Sequence, residues 1–182
     1  IISGNNGPGI KIYGESEGNV ISGNYIGLTT SGDDTIGNSL AGIIIASGAK
    51  YNIIGGETEG ERNIISGNKS GIKIWNPGSN QNKVYGNYIG TDATGTFALG
   101  NRSVGIFVID EASNNKIGGE NPGSGNLISG NDSTGIVISN LKTKYNRVQG
   151  NNIGTDVNGT SAIPNLQNGI TISQGASSNR IG

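Results

Sequence analysis

The sequence predicts an all-β solenoid, a parallel β-helix of about six coils with three short strands each and with long and short coils alternating. Three observations carry that prediction. The first is a two-part motif, Asn63-Ile64-Ile65-Ser66-Gly67-Asn68 followed at once by Lys69-Ser70-Gly71-Ile72-Lys73-Ile74. Its first half returns at positions 19–24 and 126–131, and the chain opens inside one at Ile1-Ile2-Ser3-Gly4-Asn5. Its Gly-Ile-x-Ile half returns at Gly9, Gly42, Gly105, Gly135 and Gly169. The second observation is a long period. Asn52-Ile53-Ile54-Gly55-Gly56 matches Asn115-Lys116-Ile117-Gly118-Gly119, 63 residues on, and then Asn179-Arg180-Ile181-Gly182, 64 further. Gly-Ile-x-Ile occurs twice in each such period, 29 to 34 residues apart, so one period is two coils. The third is the lack of any 3.6-residue apolar period, with Gly or Asn interrupting every run. Residues 1–182 therefore form a single repeat domain that opens and closes within a repeat.

Each coil supplies its strands in a fixed order. Gly-Ile-x-Ile, as at Gly71 to Ile74, comes first; alternation puts Ile72 and Ile74 on one face and Lys73 on the other. Asn82-Lys83-Val84-Tyr85-Gly86 represents the second strand, with Val84 inward and Lys83 outward. Asn87-Tyr88-Ile89-Gly90 represents the third. Strands this short bury nothing alone. Stacked in parallel on their equivalents at about 4.8 Å, they line up Ile and Val in continuous columns. Corner asparagines stack too, passing amide hydrogen bonds from coil to coil, and glycines allow left-handed corners.

Two loop families separate the strands. Long coils carry residues 90–101 (Gly-Thr-Asp-Ala-Thr-Gly-Thr-Phe-Ala-Leu-Gly-Asn), echoed at 154–165 and more loosely at 27–38. Short coils carry residues 55–63 and 118–126. Ile36, Leu99 and Ile163 recur at one position of the long loops, which predicts that these loops fold back onto an outer face.

Composition narrows the chemistry. Of 182 residues, 34 are Gly, and aromatic residues make up 5%. Regular Ile and Val positions set this bias apart from that of a disordered chain. Cys and His are absent, which excludes disulfides, thiolate or imidazole metal sites and imidazole catalysis. A net charge of −1 offers no global attraction to nucleic acid, and no apolar run reaches the roughly 18 residues of a membrane span. No cofactor is implied.

The motifs Asn-x-Ile-Ser-Gly-Asn, Tyr-Ile-Gly-Thr-Asp-x-x-Gly-Thr and Asn-x-Ile-Gly-Gly resemble the repeats of right-handed parallel β-helix proteins, the pectate-lyase-like fold found in large prokaryotic surface and secreted proteins. The resemblance covers essentially the whole chain. It implies a right-handed, single-stranded coil and an extracellular or cell-surface setting. That superfamily holds lyases, hydrolases, epimerases, adhesins and structural fibres, so the fold does not choose an activity.

Candidate sites follow residue by residue. The acids Asp33-Asp34, Asp92, Asp110-Glu111, Asp132 and Asp156 match no two-carboxylate catalytic arrangement, and the expectation is a protein that is not an enzyme. Asp92 and Asp156 sit at matching loop positions; they are weak Ca²⁺ candidates and otherwise turn-forming residues. Lys83, Lys116, Arg147 and Arg180 recur at one outward position of the second strand. In register they form a cation column suited to an acidic polysaccharide, which Val20 and Ile53 interrupt in the first two coils. Trp75, the only Trp, lies before Asn76-Pro77-Gly78 and is a sugar-stacking candidate. Asn68, Asn101, Asn131 and Asn158 open Asn-x-Ser/Thr sequons. The opening third-strand segment (Ile1, Ile2, Asn5) and the closing second-strand segment (Asn179, Ile181) are complementary partners for end-to-end self-association. The expected role is an extracellular structural or adhesive element. The alternative is a carbohydrate-binding or non-catalytic part of a polysaccharide-active β-helix protein.

Overall fold

The computed structural model describes residues 1–182. The chain winds through three parallel sheets. The first stacks Ile10–Tyr13, Ala41–Ala46, Ser70–Trp75, Ile106–Ile109, Ile136–Ser139 and Ile170–Ser173. The second stacks Val20–Ile21, Ile53–Gly55, Lys83–Tyr85, Lys116–Ile117, Arg147–Val148 and Arg180–Ile181, and the third Tyr25–Ile26, Ile64–Ile65, Tyr88–Ile89, Leu127–Ile128 and Asn152–Ile153. An isolated parallel bridge from Ile2 to Ile26 extends the third sheet. The result is a parallel β-solenoid with five complete turns and a partial turn at either extreme. A single 3₁₀ turn, Glu59–Glu61, is its only helical element.

Register follows the repeat. Ile43 pairs with Ile72, Ile72 with Ile106 and Ile106 with Ile136. A core of 20 buried residues results, almost all Ile and Val with Ala49 and Ala112 at a corner. Each fully buried aliphatic side chain contributes on the order of 1.5–3 kcal/mol.

Polar residues at the three corners are satisfied along the solenoid axis. Asn19, Asn52, Asn82, Asn115, Asn146 and Asn179 form one ladder, each amide NH₂ donating to the next carbonyl oxygen at 2.8–3.1 Å. Asn24, Asn63, Asn87, Asn126 and Asn151 form a second. Asn5, Asn38, Asn68, Asn101, Asn131 and Asn165 form a third. Backbone N–H groups reinforce every rung, as where Asn82 N donates to Asn115 Oδ1 at 3.0 Å. The stacked asparagines thereby solve the problem of buried backbone groups at tight corners, which must be paired.

Glycine has two separate roles here. Gly27 and Gly90 adopt φ of 90° and 97°, as a corner requires. The glycines of Gly-Ile-x-Ile do not take positive φ. All but Gly169, in the last coil, are glycines because of space: a Cβ on Gly71 would lie 2.4 Å from the Gly105 carbonyl oxygen and 2.6 Å from Ile89 Cγ2. Close approach of backbone between coils is therefore what excludes a side chain there.

The long loops form a second layer. Each closes as a small hairpin through an antiparallel bridge, Leu28–Thr35, Thr91–Ala98 or Thr155–Ala162. They fold back as predicted, and Leu28, Ile64, Tyr88 and Leu127 make a satellite cluster to which Leu99, Ala93 and Val157 add. Ile163 is buried, whereas Ile36 in the first copy is half exposed at 51%. The loops also bond to one another: Ala93 N donates to Gly32 O at 3.1 Å and Val157 N to Gly95 O at 3.0 Å.

Candidate functional site

The second sheet brings Lys83, Lys116, Arg147 and Arg180 together. They pair directly in register on adjacent strands, and Val20 and Ile53 continue the same row in the two preceding coils. All four cations are exposed. None has a carboxylate partner, since the three ion pairs of the chain are Lys50–Glu17, Arg62–Glu59 and Lys142–Glu111. Alternation explains the placement: Val84, Ile117 and Val148 point into the core, so the residue before each faces solvent.

A rail of corner residues borders the column. The residue just before each asparagine of the first ladder is left-handed: Tyr51 (φ 57°), Gln81 (58°), Asn114 (58°), Tyr145 (59°) and Ser178 (55°), with Gly18 in the first coil. That conformation costs a non-glycine residue roughly 1–2 kcal/mol, which the ladder and strands on either side supply. Column and rail enclose a shallow groove of about 490 Å³ lined by Tyr51, Gln81, Lys83, Lys116, Tyr145 and Arg147, among others. Lys144 lies 5.2 Å from the Tyr145 ring centre and Lys50 5.9 Å from that of Tyr51, so cations flank the rail as well.

The acids are placed differently. Asp92 accepts the N–H groups of Thr96 and Phe97, both at 3.0 Å, and the Thr94 hydroxyl. Asp156 accepts the Thr160 N–H at 2.8 Å and its hydroxyl at 3.1 Å. Both therefore fold their own hairpins, and no grouping of three or more acidic residues with metal-binding geometry occurs. In the first copy the roles are exchanged across the turn: Thr29 stands where Asp92 does, and Asp33 on the opposite limb accepts from Thr29 and Ser31. Asp110 accepts from Asn140, and Glu111 pairs with Lys142 at 3.4 Å. Asp132 is exposed.

These contacts set a pH dependence. Burial alone would raise the Asp92 carboxyl, but the Thr94 hydroxyl and the N–H groups of Phe97, Thr96 and Thr94 outweigh it and hold the group below its ordinary value. The Thr160 N–H, foremost among several donors, does the same for Asp156. A depressed folded-state pKa stabilises at pH above the unfolded value, near about 3.9, and the gain is lost as pH falls through the folded pKa. Asp92→Asn is therefore expected to lower the melting temperature at neutral pH. The difference from the parent chain should shrink steadily below about pH 4. A gap that stays constant to pH 2 would remove the ionised carboxylate from the account.

Trp75 sits half-buried on the outer face of the first sheet, paired with Ala46 and Ile109. Lys73 Nζ lies 4.0 Å from its ring centre, so one face is occupied, and its indole N–H is buried without a partner. Of the sequon asparagines, Asn68, Asn101 and Asn131 are fully buried ladder members, whereas Asn158 is exposed on a long loop. Ile1, Ile2 and Asn5 lie at one extreme of the stack, and Asn179 and Ile181 at the other. Sequence reading missed the serine of Asn-x-Ile-Ser-Gly-Asn. Ser66 Oγ donates to Thr91 O at 2.7 Å and accepts from Gly90 N at 3.1 Å, and Ser3 and Ser129 accept equivalently from Gly27 and Gly154. Its signal was the strict alternation of Ser in short coils with Gly in long ones.

The architecture defines the class, a parallel β-solenoid stabilised by asparagine ladders. Compared with known proteins, the chain matches no family model, no curated protein and no solved structure.

Proposed function

We propose that the chain is a rigid structural or adhesive element of an extracellular or cell-surface protein, built on the pectate-lyase-like variety of the solenoid. One observation supports this reading above others: three asparagine ladders and one aliphatic core run through every coil without interruption. Such a body resists bending, because each coil is bonded to its neighbours by three strands and three side-chain rungs. The coils at the two extremes carry the same ladder residues as those inside, so a further coil of matching sequence, from one polypeptide or a second copy, would extend the stack by strand addition.

The test is the mass of the denatured native polypeptide, taken alongside electron microscopy of the undenatured sample. Rods or filaments one solenoid wide support the reading. A mass near 18.5 kDa would assign their length to end-to-end association, and a much larger mass to a longer chain. Compact particles with no elongated body would overturn it.

A further inference from the structure

We propose that the column of Lys83, Lys116, Arg147 and Arg180 binds a linear acidic polysaccharide, with its chain axis along the solenoid and one carboxylate to each coil. The inference is independent of the structural role above, since it rests on one face of the second sheet and needs no end-to-end contact.

Four observations converge on it. The cations are exposed, in register and unpaired, with neighbours about 4.8 Å apart. Like charges in such a row repel one another, and an anionic chain laid along them relieves that repulsion at every step. The two carboxylates that share a pocket with Lys116 and Arg147 are turned to other partners, Glu57 accepting from Asn121 and Glu120 from Gln149. Neither carboxylate comes within ion-pair distance of the row, whose four cations form no ion pair within the chain.

Second, the positions are fixed by a sheet. Ligand charges meet an array whose spacing is already set, so little ordering cost falls on binding. Arg147 and Arg180 add a planar fork that fits a carboxylate through two parallel hydrogen bonds.

Third, the rail supplies what a sugar ring needs beyond charge. Tyr51 and Tyr145, each 53% exposed, have Lys50 and Lys144 over one ring face and leave the other for the apolar side of a pyranose. Gln81 and Asn114 between them offer amides for hydroxyl groups, and all four border the same groove.

Fourth, the charge spacing selects the polymer. Duplex DNA presents a charge about every 1.7 Å and is held by broad basic surfaces. A row one residue wide with a cation about every 4.8 Å suits a polymer carrying a single acidic group per ring. The net charge of −1 supplies no wider field for a denser polyanion.

The experiment is calorimetric titration of the 182-residue chain with polygalacturonate oligomers, at low and at physiological salt. Neutral dextran oligomers and inorganic polyphosphate serve as comparators. Polygalacturonate is expected to bind and dextran not. The double variant Lys116→Ala/Arg147→Ala should weaken binding about tenfold or more, and should cut the dependence of log affinity on log salt by about half. Lys69→Ala, an exposed cation outside the column, should change neither. All variants alter exposed side chains, and an unchanged melting temperature will verify that they fold. Absence of polygalacturonate binding at low salt overturns the proposal. So does an equal loss in Lys69→Ala, which would reduce the effect to diffuse charge, or binding of polyphosphate without polygalacturonate, which would assign the row to phosphate polymers.

Discussion

Asn82→Ala is expected to destabilise the chain by about 3–5 kcal/mol, because one truncation strands several buried groups at once. Asn82 Oδ1 accepts both the backbone N–H and the amide NH₂ of Asn52, at 3.0 and 2.9 Å. Its own NH₂ donates to Ala49 O at 3.1 Å and Asn115 Oδ1 at 3.0 Å. Asn52 and Asn115 are fully buried, so no water replaces what is lost. Each stranded donor or acceptor costs roughly 1–3 kcal/mol. Asn19→Ala is the contrast. Asn19 is exposed and only donates, to Asn52 Oδ1 at 2.8 Å, so its removal should cost about 1 kcal/mol. Chemical denaturation of the two variants measures the difference. Equal midpoints would show that the ladder adds nothing beyond its individual end bonds.

Gly71→Ala should rank close behind, at about 3 kcal/mol, the upper range for overpacking. The added methyl would press on the Gly105 carbonyl, the Ile89 side chain and the Asn101 amide at 2.4, 2.6 and 3.2 Å. The first of these is backbone already bonded, since Gly105 O accepts from Ile72 N at 2.8 Å. Relief thus requires the coils to part. Gly169→Ala carries the same substitution at the same place in the repeat but meets only Ile153 Cγ2, at 3.5 Å, an ordinary contact. It should be nearly neutral. Because Gly→Ala by itself lowers the entropy of the unfolded chain and favours folding, melting temperatures that fall equally in both variants would show that the approach of one coil to the next is not what excludes the side chain.

Much of this solenoid is legible in the sequence because its period is written in residues with one job each. Ile72, Ile74 and Val84 are inward by simple alternation, and the recurrence of Asn52, Asn82 and Asn115 announces a ladder. The cation column was readable for the same reason, since in-register stacking converts a sequence offset into a spatial row. Two features were not. The space-filling reason for Gly71 depends on how near one coil comes to the next, a distance no spacing encodes. The tyrosine rail was hidden because Tyr51 and Tyr145 occupy a left-handed position that, judged by propensity, belongs to Gly or Asn.

The long loops, finally, change how the solenoid comes apart. A stack in which each coil touches only its immediate neighbours can fray one turn at a time. Here the Gly32–Ala93 and Gly95–Val157 bonds tie hairpins two coils apart, passing over the short coil between them. A turn beneath such a strap cannot leave while the strap is closed. Between residues 32 and 157, loss of structure is therefore expected to proceed by double-coil units, each step releasing some 63 residues whose extended length is on the order of 210 Å. Along its loop-bearing side the protein is laced rather than merely stacked.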